Sequence, residues 1–570
     1  MSVVDVVVIG AGLAGLRTAD LVSECGLTVR VIEARTRVGG RTESVAAVDL
    51  GGQWVAAAHR RVHALCNRFD LPLAAQFDAG DALLWLQEGR VVRFRGHTPA
   101  LHVHELVVLQ LTLWRLEALA RRVALVAPWR THAAGLLDHV SVKDWLERYV
   151  PLDSVRQCVA VAVRSVFLEE THNVSLLWFL LEVRSAGSLN ALLDVKGGAQ
   201  EFRLVDGAQS LSEKLLAVLA SRRPLASVSF GAAVTRVSNY DGTTDGPVLV
   251  ELASGEVVRA RRVVGAISPQ LTSKIAFVPA CERQYLGEHG MFSGTCVKFH
   301  LRFKTAWWRE QGLSGEVASN RPDVPVACVF DASTESGKSL APALVGFVSS
   351  DTARSFVKQY VNAEERRAAI EAAVHTLFAA NAQTEKALEY RETSWCTEPF
   401  TDGCVNGTRP GGWLTRFRGV ETGAPILERP GGSTELSRPV GNVIWAGAEC
   451  GIEWNGYMEG ALESAENAAK LVLEQLQATG TSSQLRLDGT ELGELMKARR
   501  APQLPPLGSA MATVYSVVDA ADEWMPRLRY PMLGGIAASA FYGAGNERVA
   551  LQVLALLVLE LVRLVLVACF

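Results

Sequence analysis

The chain has 570 residues, of which 49% are hydrophobic and 21% are charged. This composition excludes a disordered chain, and the length predicts two or three domains. The 57 Lys and Arg residues against 60 Asp and Glu give a net charge of −3, so the overall charge predicts no nucleic-acid partner. The ten cysteines include no CxxC pair, which argues against a zinc site or a dense disulfide framework and favours a reducing compartment.

The first elements predicted along the chain form a β-α-β unit. Residues 3–9 are predicted as a buried strand, 13–25 as a helix and 28–33 as a second strand. Such a unit indicates a parallel sheet with a right-handed crossover. Because no signal peptide precedes the first strand, we expect the folded domain to begin near Met1, as in a chain made in the cytosol.

A glycine-rich turn joins the first strand to the helix. Gly10 permits the tight turn, Gly12 lets the backbone approach a pyrophosphate, and Gly15 permits close packing of helix on strand. The helix N-terminus offers free N–H groups to the phosphates. Glu33 ends the second strand, where it can accept hydrogen bonds from a ribose. An acidic residue there favours a free 2′-hydroxyl, and therefore FAD or NAD rather than NADP.

The segments 33–41 and 49–54 favour FAD over NAD. Their glycines let the main chain run beside a flat ring system, and Arg41 can meet a phosphate. We therefore expect cofactor contacts from Arg35, Gly40, Arg41, Gly52, Gln53 and Trp54.

The remaining elements alternate between helical and strand patterns, without an internal repeat. Helices are predicted at 58–70, within 101–126 and 142–183, at 364–381 and at about 457–476; strands within 228–275, 291–303 and 325–348 and at 442–446; a Gly/Pro-rich loop at 402–412; and a polar linker at 477–510.

The segment 549–570 is overwhelmingly apolar and long enough to cross a bilayer. Glu560 and Arg563 interrupt it, but their i,i+3 spacing would let them pair on one helix face. Two interpretations stay open. The segment is either a membrane-anchoring helix or a terminal helix packed on the body or in a dimer.

Four further segments resemble the flavin-dependent amine oxidase family, and within it the monoamine oxidases. They are 170–180 (ETHNVSLLWFL), 198–201 (GAQE) together with the stretch from Ser210 onward, 446–449 (AGAE) and 454–461 (WNGYMEGA). The resemblance covers roughly residues 3–475, and the apolar segment 549–570 resembles the membrane anchor of the monoamine oxidases.

The resemblance implies an α/β fold in which a Rossmann-like FAD-binding domain is interleaved with a mixed α+β substrate domain, followed by a C-terminal apolar helix. The expected segments are 1–80, 201–290 and 393–476 for the FAD-binding domain, 81–200 and 291–392 for the substrate domain, 477–548 for a linker region and 549–570 for the anchor.

The implied activity is FAD-dependent oxidative deamination of a small amine. It consumes O2 and gives an aldehyde or ketone, ammonia or an amine, and H2O2; the cofactor supplies the redox chemistry. The resemblance further implies an intracellular protein attached by its C-terminus to a membrane, the mitochondrial outer membrane in the monoamine oxidases, with a homodimer possible. Two alternatives stay open: the same fold acting on polyamines or amino acids, and a non-catalytic binding protein like the GDP dissociation inhibitors of small GTPases.

The resemblance also assigns roles near the flavin ring. Lys298 matches the lysine that holds a water beside flavin N5 and assists reaction with oxygen. Cys404 matches the cysteine joined by a thioether to the flavin 8α carbon. Asp402 stands in place of a family glycine, and the negative charge of Asp402 is expected to disfavour the Cys404 thiolate. Trp395 matches a residue packed by the ring.

Tyr457 matches one wall of an aromatic cage over the flavin face, while Val405 stands where the second tyrosine would be, so turnover of aromatic monoamines is expected to be weak or absent. Further cofactor positions implied are Val234, Glu449, Gly456 and Met458. The substrate site is expected to include Gln200, the gate residues Leu192 and Leu193, and the apolar lining Phe330 and Phe347.

Overall fold

A computed structural model describes residues 3–96, 98–242, 246–281, 283, 286, 292–336, 339–378, 385–395, 397–408, 411–415, 436–479 and 487–497. Within these ranges the chain is a mixed α/β fold built around two large sheets. The segment 549–570, predicted as a membrane anchor, lies outside the described residues. Among the helices that are described, none is both long enough and apolar enough to cross a membrane.

The first sheet contains the predicted β-α-β unit. Val4–Ile9 pairs in parallel with Val29–Ile32 on one side and with Val257–Gly265 on the other, which confirms the predicted parallel start. Its strands lie in the order Ala226–Ser229, Val29–Ile32, Val4–Ile9, Val257–Gly265, Val248–Leu252, Val234–Ser238 and Ala276–Val278, with Val443–Trp445 added beside Val257–Gly265. The strands therefore come from three separate stretches of chain.

The second sheet has seven strands among the described residues. Their order is Glu389–Ser394, Cys296–Arg302, Ala343–Ser349, Cys328–Asp331, Leu313–Ser319, Asp81–Trp85 and Val91–Phe94. The strand Cys296–Arg302 alternates as expected, because Val297 and Phe299 enter one apolar cluster while Lys298 faces away from it.

Three helices cover the first sheet and bury a second apolar cluster. Leu13–Glu24 packs against both Gln209–Ser221 and Met458–Ala478, and Leu16, Leu211 and Leu462 meet in the core between them. The other helices are Arg60–Arg68, Val103–Arg121, Ala134–His139, Val142–Tyr149, Asp153–Phe167, Leu176–Ala186, Leu189–Leu193, Trp307–Glu310, Ser350–Gln359, Ala363–Leu377 and Glu491–Lys497.

Short elements complete the described chain. Short 3-10 helices are Gln87–Gly89, Pro128–Arg130, Pro269–Lys274 and Ala448–Cys450. Small sheets pair Phe292–Gly294 with Cys404–Thr408, Thr334–Ser336 with Ser339–Ala341, Ser44–Val45 with Val48–Asp49, and Phe202–Leu204 with both Trp54–Val55 and Leu73–Ala75.

Two predicted irregular segments are partly regular. Within the predicted loop 402–412, Cys404–Thr408 is a strand, because Phe292–Gly294 supplies a distant pairing edge that local composition does not reveal. Within the predicted linker 477–510, Glu491–Lys497 is a short helix. Its Leu492 is fully buried and Glu491 pairs with Arg17 of the first helix, so a tertiary contact orders it.

Candidate active site

A cavity of about 570 Å³ joins the predicted cofactor loops to the predicted catalytic residues. Gly10, Gly12 and Glu33, at the carboxyl ends of strands in the first sheet, line one part of it, while Lys298 and Phe347 of the second sheet line another. The carboxyl edge of a parallel sheet is the usual location of a dinucleotide site in α/β folds.

The glycine-rich turn has the geometry that a dinucleotide requires. Gly10 has a φ of +103°, and a Cβ there would come within 2.6 Å of the Ala266 carbonyl oxygen. A Cβ on Gly15 would lie 2.0 Å from the Gly10 carbonyl oxygen, so a glycine at this position lets the helix pack closely on the turn. Gly15 itself does not line the cavity. The side-chain-free edge at Gly10 and Gly12 fits a pyrophosphate.

Glu33 is buried and held by the backbone. Its Oε2 accepts a hydrogen bond from the Ala11 N–H at 2.7 Å, and its Oε1 accepts one from the Arg35 N–H at 2.8 Å. Because each carboxylate oxygen has a second lone pair, Glu33 can still accept from ribose hydroxyls. The donor set at this end of the cavity therefore fits an adenosine ribose.

Two predicted cofactor arginines line the cavity but also bind protein groups. The Arg41 guanidinium makes two hydrogen bonds to the Glu449 carboxylate, at 2.7 and 2.9 Å. Arg35 instead binds the loop before Cys404, where it contacts the Pro399 carbonyl oxygen. The sequence predicts that Arg41 can meet a phosphate; in the structure its guanidinium binds the buried Glu449 carboxylate. Glu449, also predicted as a cofactor residue, does not line the cavity.

Lys298 is buried beside the cavity and held in one orientation. Its Nζ donates to the Gly51 carbonyl oxygen at 2.7 Å and to Gln53 Oε1 at 2.9 Å, and it lies 5.6 Å from the centroid of the Trp54 ring. Burial lowers the pKa of Lys298 to about 8, although the Asp49 carboxylate opposes this shift. An ammonium with a pKa so close to neutral can change charge within the working range of an enzyme.

Asp49 is a charge partner of Lys298, and no role was predicted for it from the sequence. Its Oδ1 accepts from the Ala208 N–H at 2.8 Å and from Ser44 Oγ at 2.5 Å. Burial raises the pKa of Asp49, and the Lys298 charge opposes that shift. The only sequence feature that pointed to Asp49 was its position in the glycine-rich segment 49–54.

Trp395 and Cys404 lie together at the cavity wall. Trp395 Nε1 donates to the Leu50 carbonyl oxygen at 2.8 Å, and the Gly403 N–H donates to the Trp395 carbonyl oxygen at 3.0 Å. Asp402 has a φ of +62°, a conformation that glycine adopts freely and Asp tolerates. Its half-exposed carboxylate lies 3.6 Å from Lys274 Nζ, so water and this cation screen the charge expected to disfavour a Cys404 thiolate.

Tyr457 lines the cavity at the N-terminus of the helix Met458–Ala478. The Trp454 and His59 rings meet it edge-on, at 5.2 and 5.8 Å between centroids. Burial lowers the pKa of His59 to about 3 and raises the pKa of Tyr457, so both rings are neutral at pH 7. The sequence predicted no role for His59 or Trp454. Only the WNGY segment, which begins at Trp454, pointed to that residue. The Val405 side chain lies outside the described residues.

The predicted substrate residues are only partly brought together. Gln200, Phe330 and Phe347 line the cavity, whereas Leu192 and Leu193 do not; Leu192 is fully buried in the largest apolar cluster. Gln200 donates to the Leu192 carbonyl oxygen at 3.4 Å, while its buried Oε1 receives no hydrogen bond within the described part of the chain. The cavity therefore presents an acceptor among apolar rings.

The remaining predicted cofactor residues lie at the cavity wall. Those that line it are Gly40, Gly52, Gln53, Trp54, Val234, Gly456 and Met458. Two cysteines that line it, Cys296 and Cys328, were not predicted, because a cysteine in a strand carries no distinguishing local pattern.

Comparison with known proteins identifies the family of this chain. The family model for flavin containing amine oxidoreductases matches residues 13–473. Flavin-containing amine oxidase A of Sus scrofa is 30% identical over 83% of this chain and 85% of its own length, and flavin-containing amine oxidase B of Mus musculus is 30% identical over 83% and 86%.

Solved structures agree with the sequence relatives. Putrescine oxidase bound to putrescine superimposes with a TM-score of 0.73 at 25% identity, over 83% of this chain and 99% of that one. Cyclohexylamine oxidase from Brevibacterium oxydans gives 0.73 at 26% identity, over 84% and 100%.

The chain belongs to the family of flavin-containing amine oxidoreductases. It is an oxidoreductase that uses FAD and O2 to oxidise amines, with release of H2O2.

Proposed function

We propose that this chain oxidises small monoamines with an apolar body, on an FAD attached through Cys404. One observation carries the proposal: Lys298, Trp395, Cys404 and Tyr457 line the same cavity as the glycine-rich turn and Glu33. In the sequence these residues are scattered between positions 10 and 457, and only the fold brings them to one cavity.

The cofactor positions follow from the local chemistry. The N–H groups after Gly10 and Gly12 would face the pyrophosphate, and Glu33 would accept from the ribose. Gly40 and Gly52 leave room for the ring, and Trp395 would pack against it. Cys404, next to Gly403, would supply the sulfur of the thioether. Bound FAD supplies the hydride acceptor that oxidises the carbon–nitrogen bond.

The chain's own residues prepare the amine for that step. The Tyr457, Phe330 and Phe347 rings exclude water and favour the neutral amine, because desolvation disfavours an ammonium. The buried Gln200 Oε1 acceptor at the cavity wall would accept a hydrogen bond from an amine N–H. Tyr457 is held by the His59 and Trp454 rings, so its position does not depend on substrate.

Lys298 would act on oxygen rather than on the amine. Its two fixed hydrogen bonds leave one N–H for a water or for reduced oxygen species. The positive charge stabilises negative charge that develops when O2 takes up electrons.

The charge of the cavity favours monoamines over diamines. Among the described lining residues, Glu33 is the only carboxylate, and it faces the ribose end. The second ammonium of a diamine would lie against a part of the described cavity lining that offers it no carboxylate. Relatives acting on putrescine and cyclohexylamine, as their names state, share the fold, and the apolar rings here resemble what a cyclohexyl group needs.

The two sheets support the proposed division into two interleaved domains, since strands of the first sheet fall within 4–32, 226–278 and 443–445 and those of the second within 81–94 and 296–394. Attachment to a membrane through 549–570, a homodimer and the mitochondrial outer membrane stay predictions.

A panel of amines with peroxide detection tests the substrate class. We expect alicyclic monoamines such as cyclohexylamine to give peroxide at higher kcat/KM than putrescine or spermidine. A preference for the diamines would contradict the proposal, and folded protein that lacks a flavin spectrum would contradict the cofactor assignment.

A further inference from the structure

Two thiols lie side by side at the candidate flavin attachment point. The Cys296 and Cys404 Sγ atoms are 2.7 Å apart, and both side chains are buried at the cavity wall. The two residues are 108 positions apart in the chain. Since a disulfide has a sulfur–sulfur distance of about 2.05 Å, a shift of less than about 1 Å would join them.

Backbone hydrogen bonds hold Cys296 and Gly403, the neighbour of Cys404, to the same residue. The Trp395 N–H donates to the Cys296 carbonyl oxygen at 3.1 Å, and the Trp395 carbonyl oxygen accepts from the Gly403 N–H at 3.0 Å. Gly294, two residues before Cys296, is the ladder partner of Cys404. The approach of the two sulfurs therefore follows from sheet pairing as well as from side-chain rotamers.

We propose that Cys296 is a competing partner for Cys404: the two form a reversible disulfide in chains whose flavin is not covalently attached, and this disulfide blocks attachment. The competition rests on the proposed thioether. A neutral sulfur bonded to Cβ forms one further bond, so Cys404 holds either the flavin carbon or the Cys296 sulfur.

The oxidant is a product of this family's own reaction. One thiol attacks H2O2, so that a sulfur–oxygen bond forms, the oxygen–oxygen bond breaks and water leaves. The second thiol then attacks the resulting sulfenic sulfur, the sulfur–sulfur bond forms and a second water leaves. Two thiols lose two electrons and two protons, and one peroxide becomes two waters. A small dithiol reverses the bond by exchange.

A third thiol in the same cavity provides the matched control. Cys328 lines the wall, and burial raises the pKa of its thiol to about 12. It pairs through its backbone with Phe347, whereas Cys296 pairs with Ser349 on the same strand. Cys328→Ser thus removes a buried cavity thiol without removing the proposed pair.

The test uses the full chain purified from riboflavin-limited cells. The protein is treated with H2O2, free thiols are blocked with N-ethylmaleimide, and peptides are identified by mass spectrometry with and without dithiothreitol. We expect a Cys296–Cys404 cross-linked peptide in molecules without attached flavin. It should be lost with dithiothreitol or in Cys296→Ser and Cys296→Ala, and kept in Cys328→Ser.

Added FAD then measures the competition. Peroxide-treated wild type should attach less than about a tenth of the flavin attached by reduced protein, and dithiothreitol should restore it, whereas Cys296→Ser should attach flavin with or without peroxide. Full alkylation of both thiols after peroxide would overturn the disulfide. Equal attachment by oxidised and reduced wild type would overturn the competition. A reversible cross-link together with no attached flavin in any variant would overturn the thioether, and the competition with it, but leave the disulfide standing.

Discussion

The Arg41 guanidinium and the Glu449 carboxylate form a two-bond ion pair between residues 408 positions apart. Glu449 is fully buried, whereas 26% of the Arg41 side chain is exposed. Burial favours the neutral carboxyl, but the Arg41 charge and hydrogen bonds outweigh it and keep the pKa of Glu449 below its ordinary value. The pair thereby ties the loop after the first β-α-β unit to the distant turn Ala448–Cys450.

Glu449→Gln should destabilise the protein, because it leaves Arg41 without its counter-charge. We expect a loss of about 3 kcal/mol, at the lower end of the cost of breaking a buried pair, since Arg41 keeps some contact with water. Urea denaturation measures it. Asp323→Asn, in an exposed pair with Arg321, is the control and should cost less than about 1 kcal/mol. Equal effects would contradict the assigned role.

The stability that the Arg41–Glu449 pair contributes should depend on pH. Because the pKa of Glu449 is lowered on folding, its stabilisation is complete above the ordinary carboxyl pKa and is lost as the pH falls through the lowered value. The stability difference between wild type and Glu449→Gln should therefore shrink in acid. Denaturation series at several pH values measure that difference, and a gap that widens in acid would contradict the assignment.

Arg35 should control the loop that carries Cys404. Its guanidinium contacts the Pro399 carbonyl oxygen and Thr401 Oγ1, so Arg35→Gln should lower stability by about 1–2 kcal/mol and reduce the fraction of covalent flavin. Urea denaturation and the colour retained after acid precipitation measure the two effects. Arg37→Gln is the control, since Arg37 pairs with Glu43 instead. Unchanged flavin attachment in Arg35→Gln would show that the contact of Arg35 with this loop does not control cofactor attachment.

Lys298→Met should slow reoxidation by oxygen far more than reduction by amine. We expect about a 100-fold slower oxidative half-reaction and less than about a threefold change in the reductive one. Stopped-flow measurement of the two half-reactions separates them. Equal slowing of both would remove the assigned role.

The oxidative half-reaction should also depend on pH. Since the pKa of Lys298 is about 8, its charge is present below this pH and lost above it, so the wild-type rate should fall as the pH rises through about 8. The same rate measured in Lys298→Met should lack this step. A wild-type rate that rises across that range would contradict assistance by the ammonium.

Cys404→Ala should convert covalent flavin into flavin that acid precipitation releases. Cys328→Ala, which removes another thiol from the cavity, should leave the colour on the chain. The absorbance of the washed precipitate measures both. If colour washes out of wild type, the thioether is wrong.

Tyr457→Leu should lower kcat/KM for monoamines by about tenfold, equivalent to ~1.4 kcal/mol, because it removes a ring wall of the cavity. Tyr457→Phe keeps the ring and its contacts with His59 and Trp454, and should stay within about threefold of wild type. Steady-state kinetics measures both. Similar losses in the two variants would assign the effect to the hydroxyl.

Local pattern was sufficient to predict the first β-α-β unit and its glycine-rich turn. The alternation of apolar residues, the three glycines and Glu33 lie within one β-α-β unit of about thirty residues, where sequence spacing and spatial proximity coincide. The same holds for the alternation that separates Lys298 from Val297 and Phe299 on one strand. Resemblance of four distant segments then predicted the family, which the comparisons confirmed.

Only the tertiary structure decided which distant groups meet. The ion pair of Arg41 with Glu449, the contact of Arg35 with the loop before Cys404, and the approach of Cys296 to Cys404 join residues more than 100 positions apart. The strand Cys404–Thr408 and the helix Glu491–Lys497 likewise exist because remote partners satisfy their backbone or bury Leu492. Periodicity encodes which face of an element is buried, but the identity of the group that covers it depends on how whole elements pack.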